Sequence, residues 1–341
     1  MELLCRNIFL LFFLFTSSGV IFSQTLNWQV YNSGNSELPD DQVFSIVIDS
    51  LGYKWLGTKS GLVMYDNTRW KAFDKKSTKG TPYTIVRSIL IDQDGVLWTG
   101  TWGDGMAQMT ILRDENKIHS HNWINYRNNN SAMPHNTVKS IAFDEFGNKW
   151  IGTEEGLVLM EKLDWGIGGV KWKTFFTDNS GLSNNAIQSI LIDKFGNIWM
   201  ATFGGGISKF DGENWTVHDI RNSDLPDNYI THMVMDNTQH VWVATHNGGI
   251  ASFNGEQWTK FSTGTSSIPD NNATVLFAEG NNVWMGTEKS GLGRYDGTRW
   301  QTIDIMDRGF DYVITSLAAG KNGDIWVGTN KGLFVLNTAE N

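Results

Sequence analysis

A short motif, Trp-x-Gly-Thr or Trp-x-Ala-Thr, recurs seven times along the chain and constrains its fold more than any other feature. Consecutive motif tryptophans are separated by 43, 52, 49, 43, 42 and 42 residues. This period is typical of a four-stranded β-propeller blade rather than of a helical repeat. The motif tryptophans are Trp55, Trp98, Trp150, Trp199, Trp242, Trp284 and Trp326.

Each unit contains four short segments with the alternating apolar pattern of a half-buried strand. In the first unit we place strands at Val43 to Ile48, around Trp55, at Leu62 to Tyr65 and at Trp70 to Phe73. We expect the innermost strand to alternate strictly along its length. We therefore predict an all-β, seven-bladed β-propeller with four-stranded antiparallel blades.

The outer strands indicate how the ring closes. Six units carry a second tryptophan in the outermost segment, whereas the last unit stops before such a segment. The missing tryptophan is Trp28, which lies ahead of the first unit. We therefore expect the N-terminal strand to complete the last blade, because closure removes the free sheet edges.

The N-terminus has the layout of a secretory signal peptide. Arg6 precedes the apolar run Ile8 to Phe15, and a small, polar segment leads to a cleavage point after Ser23. We expect residues 1–23 to be a signal peptide and residues 24–341 to form the propeller. The mature chain, having lost Cys5, would contain no cysteine and no transmembrane helix.

Composition disfavours several function classes. The net charge is −9, and no run of basic residues suits nucleic acid. The sequence contains no HExxH, GxSxG or Walker motif, and its seven histidines have no metal-ligand spacing. We expect no cofactor and no metal.

The repeat resembles the two-component regulator propeller repeat in two stretches. These are Ile46 to Leu62 and Leu225-Pro226-Asp227-Asn228. The resemblance implies a periplasmic sensor propeller of the kind found in Bacteroidetes hybrid two-component systems, many of which recognise oligosaccharides. Those sensors carry further domains and a kinase, so we expect this chain to depend on a partner for signalling.

Candidate ligand-binding residues lie in the loops between second and third strands, which converge around a propeller's channel. An aromatic beside carboxylates would suit a sugar ring stacked on its face, although such aromatics could also simply cap the blade ends. The candidate ligand-binding residues are Trp102, Asp104, Glu154, Glu155, Phe203 and His246.

Three functions remain open. The first is a non-catalytic binding or sensing module for a glycan or an envelope protein, exported to the periplasm or cell surface of a Gram-negative bacterium. The second is a lyase resembling streptogramin or polysaccharide lyases, with His232, His246 and Glu288 as candidate catalytic residues. His232 stands in a row of inner-strand serines and could equally be a solvated channel residue. The third is a structural adaptor.

Overall fold

The protein is a ring of seven four-stranded antiparallel sheets. The structure is a computed structural model that describes residues 27–73, 85–114, 117–162, 169–305 and 312–337. The predicted signal peptide, residues 1–23, lies outside the described residues. Among the residues described, no helix is long and apolar enough to cross a membrane. The predicted seven-bladed propeller is confirmed.

Each blade runs from an inner strand at the channel to an outer strand at the rim. Blade 1 contains β2 (Val43–Ile48), β3 (Lys54–Thr58), β4 (Gly61–Tyr65) and β5 (Trp70–Phe73). Blade 2 contains β6 (Val86–Ile91), β7 (Leu97–Thr101), β8 (Met106–Asp114) and β9 (Lys117–Tyr126). Blade 3 contains β10 (Val138–Phe143), β11 (Lys149–Thr153), β12 (Gly156–Lys162) and β13 (Val170–Phe175).

The remaining blades have the same order. Blade 4 contains β14 (Ile187–Ile192), β15 (Ile198–Thr202), β16 (Ile207–Phe210) and β17 (Trp215–His218). Blade 5 contains β18 (Ile230–Met235), β19 (Val241–Thr245), β20 (Ile250–Phe253) and β21 (Trp258–Phe261). Blade 6 contains β22 (Ala273–Glu279), β23 (Asn282–Thr287), β24 (Leu292–Tyr295) and β25 (Trp300–Ile303). Blade 7 contains β26 (Ile314–Ala319), β27 (Ile325–Thr329), β28 (Gly332–Asn337) and, as its outer strand, β1 (Asn27–Tyr31).

The ring closes through pairing of the two ends of the described chain. β1 is antiparallel to β28, with Asn27 opposite Asn337 and Tyr31 opposite Leu333. Blade 7 therefore has the same four strands as the other blades, and no third strand is left as an open edge. The predicted closure is confirmed.

The motif tryptophans form the contacts between neighbouring blades. Trp150 stacks on Phe175 of its own outer strand, with ring centroids 5.8 Å apart. It also meets Phe210 on the third strand of blade 4 at 6.2 Å. Because the tryptophan contacts side chains of both blades, it buries apolar surface of its own blade and of the next one together.

The same stack crosses the closure. Trp326 of blade 7 lies 6.3 Å from Tyr31 in a parallel stack and 6.3 Å from Tyr65 of blade 1. Tyr31 comes from the N-terminal strand, so this strand supplies both a sheet partner and part of the aromatic contact between the last and first blades.

An aspartate before each of the first five motif tryptophans shapes the turn between the inner and second strands. One oxygen of Asp49 accepts the N–H groups of Leu51 and Tyr53, and the other accepts the indole N–H of Trp55 at 3.1 Å. The Asp-x-x-Gly turn and the motif tryptophan are therefore one hydrogen-bonded unit. The equivalent pairs are Asp92–Trp98, Asp144–Trp150, Asp193–Trp199 and Asp236–Trp242.

The expected strict alternation of the inner strand is wrong. All seven inner strands shift register after their first residue, as between Val43 and Ser45 in blade 1. The shift is a β-bulge, in which one extra residue faces the channel. Val43 and Ile46 are consequently both buried, and Phe44 and Ser45 both line the channel.

Deletion of residues 27–31 should lower the melting temperature by more than about 10 °C, because it exposes the β28 edge and removes Tyr31 from the aromatic stack. Thermal unfolding followed by circular dichroism measures the effect. Gln29→Ala, at an exposed position of the same strand, serves as the control and should unfold close to wild type. An unchanged melting curve for the deletion would contradict closure by β1.

Candidate functional site

The loops between second and third strands are held by the threonine that ends each motif. Its hydroxyl donates to the carbonyl of the glycine that closes the loop, as in Thr58 to Gly61 at 2.9 Å and Thr202 to Gly206 at 2.8 Å. Gly206 has φ of 72°, a conformation that glycine adopts without strain. The same bond is present in all seven blades.

The first residue of each loop is held against the start of the inner strand. The N–H of Trp102 donates to the carbonyl of Ile85 at 2.9 Å, and the N–H of Phe203 donates to that of Ala186 at 3.0 Å. This bond directs the first loop position toward the channel mouth. A substitution at this first loop position changes the surface of the mouth, whereas the backbone conformation of the loop is kept by the threonine and glycine.

Loop length separates the blades into two groups. Two residues separate the threonine from its glycine in blades 1, 3 and 7, and three residues separate them in blades 2, 4, 5 and 6. The longer loops begin with four of the residues singled out from the sequence: Trp102, Phe203, His246 and Glu288.

The channel forms a cavity of about 680 Å³. Three loop residues, Phe203, His246 and Glu288, line it together with His232 of the inner strand of blade 5. The structure therefore brings these four predicted residues to one cavity. The aromatic ring of Phe203, 49% exposed, packs edge-on against Tyr229 with centroids 4.9 Å apart.

The bulge residues form a ring at the mouth of the same cavity. In blades 5, 6 and 7 the residue is a threonine, and Thr231 donates to the carbonyl of Ala273 in the next blade at 2.7 Å. Thr274 makes the equivalent bond to Ile314, and Thr315 to Val43. These three positions therefore link neighbouring inner strands.

Blades 1 to 4 carry larger side chains at the bulge: Phe44, Arg87, Lys139 and Gln188. These four are the residues that sequence reasoning missed. Strict alternation would have placed them away from the channel. The sequence does contain a signal for these residues. The second residue of the inner strand is aromatic, cationic or an amide in blades 1 to 4, whereas it is threonine in blades 5 to 7.

Trp102 joins the mouth through Arg87. The guanidinium carbon of Arg87 lies 5.2 Å from the ring of Trp102 and 5.0 Å from the ring of Phe44. Trp102 itself is 54% exposed. It thus flanks the cavity on the side of blade 2 rather than lining it.

The predicted carboxylates are dispersed. Glu154 is bound to Lys139 of the bulge ring. Asp104 pairs with Arg127 at 3.2 Å, and Glu155 is exposed. None of the three carboxylates lines the cavity, and Glu154 is connected to the mouth only through Lys139.

His232 takes part in a row of bonds between blades. Ser140 accepts the N–H of Ile190 at 2.9 Å, and Ser189 accepts that of Met233 at 3.3 Å. His232 continues the row, because its Nδ1 faces the N–H of Leu276 at 3.4 Å. An accepting Nδ1 requires the neutral imidazole. Burial lowers the pKa of His232 to about 4.

The remaining lyase candidates lie in adjacent blades. His246 is exposed at the mouth, and Glu288 accepts a hydrogen bond from the amide of Asn272. Among the residues that the structure describes, no three His, Cys, Asp or Glu side chains are grouped to hold a metal ion. The cavity thus combines aromatic, cationic and amide groups around a neutral His232.

Replacing His232 with serine should flatten the dependence of stability on pH. The neutral imidazole is favoured in the folded state, so its contribution is fully present above pH 6.5 and is lost as the pH falls toward about 4. The ring is half-buried, and solvent in the channel reduces the effect to about 1–2 kcal/mol. Urea unfolding at pH 7 and pH 5 measures this difference.

Ser189→Ala is the matched control, since it removes an acceptor of the same row without removing a titratable group. It should lower stability equally at both pH values. If wild type and His232→Ser lost the same stability between pH 7 and pH 5, the lowered pKa of His232 would be contradicted.

The "Two component regulator propeller" family model matches residues 80–103, 181–204, 224–247 and 309–331. These segments lie in blades 2, 4, 5 and 7. Each spans an inner strand, the turn after it and the motif strand, and they include Trp102, Phe203 and His246. No curated protein matches the sequence.

Several solved structures share the fold. The extracellular domain of a putative hybrid two-component system from B. thetaiotaomicron superposes with a TM-score of 0.73 and 22% identity. The match covers 92% of this chain and 41% of that one, so this chain spans about two fifths of its length. Virginiamycin B lyase from Staphylococcus aureus superposes with a TM-score of 0.66 and 14% identity, covering 91% and 98% of the two chains.

A surface component of the type-IX secretion system of Porphyromonas gingivalis is also similar, with a TM-score of 0.65 and 18% identity. That match covers 88% of this chain and 47% of the other. At these identities the structural likenesses establish the propeller fold alone. The family-model matches are more specific: four blades of this seven-bladed propeller contain segments that match the two-component regulator propeller repeat.

Proposed function

We propose that this protein is an exported, non-catalytic sensing module that binds a glycan at the channel mouth. The observation that carries the proposal is the distribution of variable residues. The turns, motif tryptophans and loop-closing threonines recur around the ring, whereas the first loop position and the bulge position vary from blade to blade. Residue variation around a channel mouth on a repeated scaffold is what a binding site requires.

The chemistry of the mouth favours a sugar. Trp102 and Phe203 offer partly exposed aromatic faces, on which the C–H face of a pyranose ring can stack. Gln188, His246 and Glu288 supply hydrogen-bonding groups at the cavity for hydroxyls. Apolar faces beside convergent polar groups are the usual composition of a small-molecule site.

Export is part of the proposal. Residues 1–23 carry the signal-peptide pattern, with cleavage after Ser23, and the extracellular relative among the similar structures supports the same compartment. The protein would act in the periplasm or at the surface of a Gram-negative cell. Transmission of a signal would require a partner protein of the envelope.

A lyase is the second candidate, and the likeness to virginiamycin B lyase together with His246 at the cavity favours it. His232 is poorly suited to act as the base, because its pKa is about 4 and its Nδ1 faces a backbone N–H. An elimination would therefore depend on His246 and Glu288. An ultraviolet-absorbing unsaturated product from uronate-containing glycans, abolished by His246→Ala, would replace the binding function with this one.

Trp102→Ala should weaken binding of an oligosaccharide by about tenfold, because it removes the most exposed aromatic face near the mouth. The measurement is a thermal-shift screen of neutral and acidic oligosaccharides, followed by calorimetric titration of those that stabilise the protein, with product analysis to exclude turnover.

Phe195→Ala provides a matched control. Phe195 is 78% exposed, but it lies in the turn between β14 and β15, at the opposite end of the inner strand. This variant should bind like wild type. The proposed function would be refuted if no saccharide bound, or if Trp102→Ala and Phe195→Ala had equal effects.

A further inference from the structure

Arg87 is a half-buried cation whose N–H donors are not bonded to any other residue that the structure describes. Its guanidinium is flanked by the rings of Phe44 and Trp102 at 5.0 and 5.2 Å. It makes no hydrogen bond and no ion pair with any residue that the structure describes. It nevertheless lines the channel cavity, where a ligand could reach it.

This arrangement is unusual for an arginine inside a folded protein. A guanidinium carries five N–H donors, and partial burial of Arg87 beside two rings costs part of their hydration without supplying an acceptor from the described residues. Contacts with two aromatic rings offset part of the cost but satisfy none of the donors. The rings also restrict the side chain, so that its orientation is set before any ligand arrives.

The neighbouring charges leave one positive charge at this point of the mouth. Lys139 of the next blade is neutralised by its ion pair with Glu154. Glu154 is also the charged group that acts electrostatically on Arg87, but it is not bonded to it. Arg87, Lys139 and Glu154 together therefore carry a net charge of about +1, within a chain whose net charge is −9.

We propose that Arg87 is the binding residue for the carboxylate of an acidic sugar, so that the ligand of this mouth is a uronate-containing oligosaccharide. The inference rests on the proposed function and specifies its ligand class. The planar guanidinium would pair with two oxygens of the carboxylate, and the sugar ring that bears it would lie against Trp102.

The charge balance favours a carboxylate over a phosphate monoester. A carboxylate is a planar monoanion that matches both the single uncompensated charge and the geometry of a guanidinium. A dianionic phosphate would leave an excess negative charge beside Glu154, in a protein that is already acidic. The amide of Gln188 and the imidazole of His246 are on the same cavity and can bind the hydroxyls of neighbouring sugar units.

A sugar is favoured over an acidic peptide by what surrounds Arg87. The exposed face of Trp102 is apolar and planar, and the other groups around the cavity present isolated hydrogen-bonding atoms. A peptide in an extended conformation would need a free strand edge for its backbone. Each inner strand is paired within its sheet on one side only, but its other edge lies against the inner strand of the next blade and is bonded to it, as Thr231 is to Ala273 and Ser189 to Met233.

The test compares two ligands that differ only in charge. Calorimetric titration of the full chain uses trigalacturonate and its fully methyl-esterified form, with a hyaluronan tetrasaccharide as a second, glucuronate-containing probe. We expect at least one acidic probe to bind at least about tenfold more tightly than the ester. Its affinity should fall as salt is raised from about 20 to 200 mM, because a charge pair is screened.

The variants isolate Arg87. Arg87→Gln should lower affinity for the acidic probe at least about tenfold and abolish most of its salt dependence, and Arg87→Lys should retain the salt dependence with intermediate affinity. Arg294→Gln is the matched control, because Arg294 also lies over a tryptophan, Trp284, but is bonded to Asn282 away from the cavity. It should bind like wild type. Melting temperatures of all three variants verify folding.

The outcomes separate this inference from the proposed function. Equal affinity for the acid and its ester, or wild-type affinity in Arg87→Gln, would overturn the carboxylate assignment while leaving a glycan-binding module in place. Absence of binding by every oligosaccharide, neutral or acidic, would overturn both. Arg87-dependent binding of triglutamate in place of the acidic sugars would overturn the assignment to a sugar.

Discussion

Pairing between the first and last described strands is the constraint on which the rest of the structure depends. A blade can bury its two faces only between neighbours, so an open row of seven blades would leave two exposed faces and unpaired strands. β1 removes the unpaired edge of blade 7, and Tyr31 joins Trp326 to Tyr65 of blade 1. The closure is therefore held by the same kind of aromatic contact as that between blades 3 and 4, 4 and 5, and 5 and 6.

Within this ring, the repeated motif residues have local tasks that together leave the channel mouth free to vary. The aspartate holds the turn and the indole of the motif tryptophan, and the threonine closes the loop that leads to the third strand. Small residues at the third motif position let the inner strand of the next blade pack closely against the motif strand. A Cβ on Gly57 would lie 2.6 Å from the carbonyl oxygen of Val86 in blade 2. None of these tasks involves the side chain of the first loop residue.

The mouth is accordingly asymmetric although its scaffold repeats. On one side, three threonines bind the inner strands to one another. On the other side, Phe44, Arg87, Lys139 and Gln188 project into the cavity, with Trp102 behind Arg87. Under the proposed function, a ligand would be held mainly by blades 1 to 4, including Phe203, while His246 and Glu288 would contact it from the loops of blades 5 and 6. One repeat thus provides both a uniform ring and a mouth whose side chains differ from blade to blade.

The sequence by itself determined the blade number, the four strands of each blade and the closure by the strand that contains Trp28. Few arrangements can bury a strand pattern that is repeated seven times. It also identified the loop positions of Trp102, Phe203, His246 and Glu288, since these follow a recognisable motif. Only the tertiary structure decided that the inner strands bulge and that Arg87 consequently reaches the cavity. A bulge changes which residues face the channel without changing the spacing of the repeat along the sequence. The surroundings of Arg87 are set by Phe44 and Trp102, which come from a neighbouring strand and a loop and are not adjacent to it in sequence.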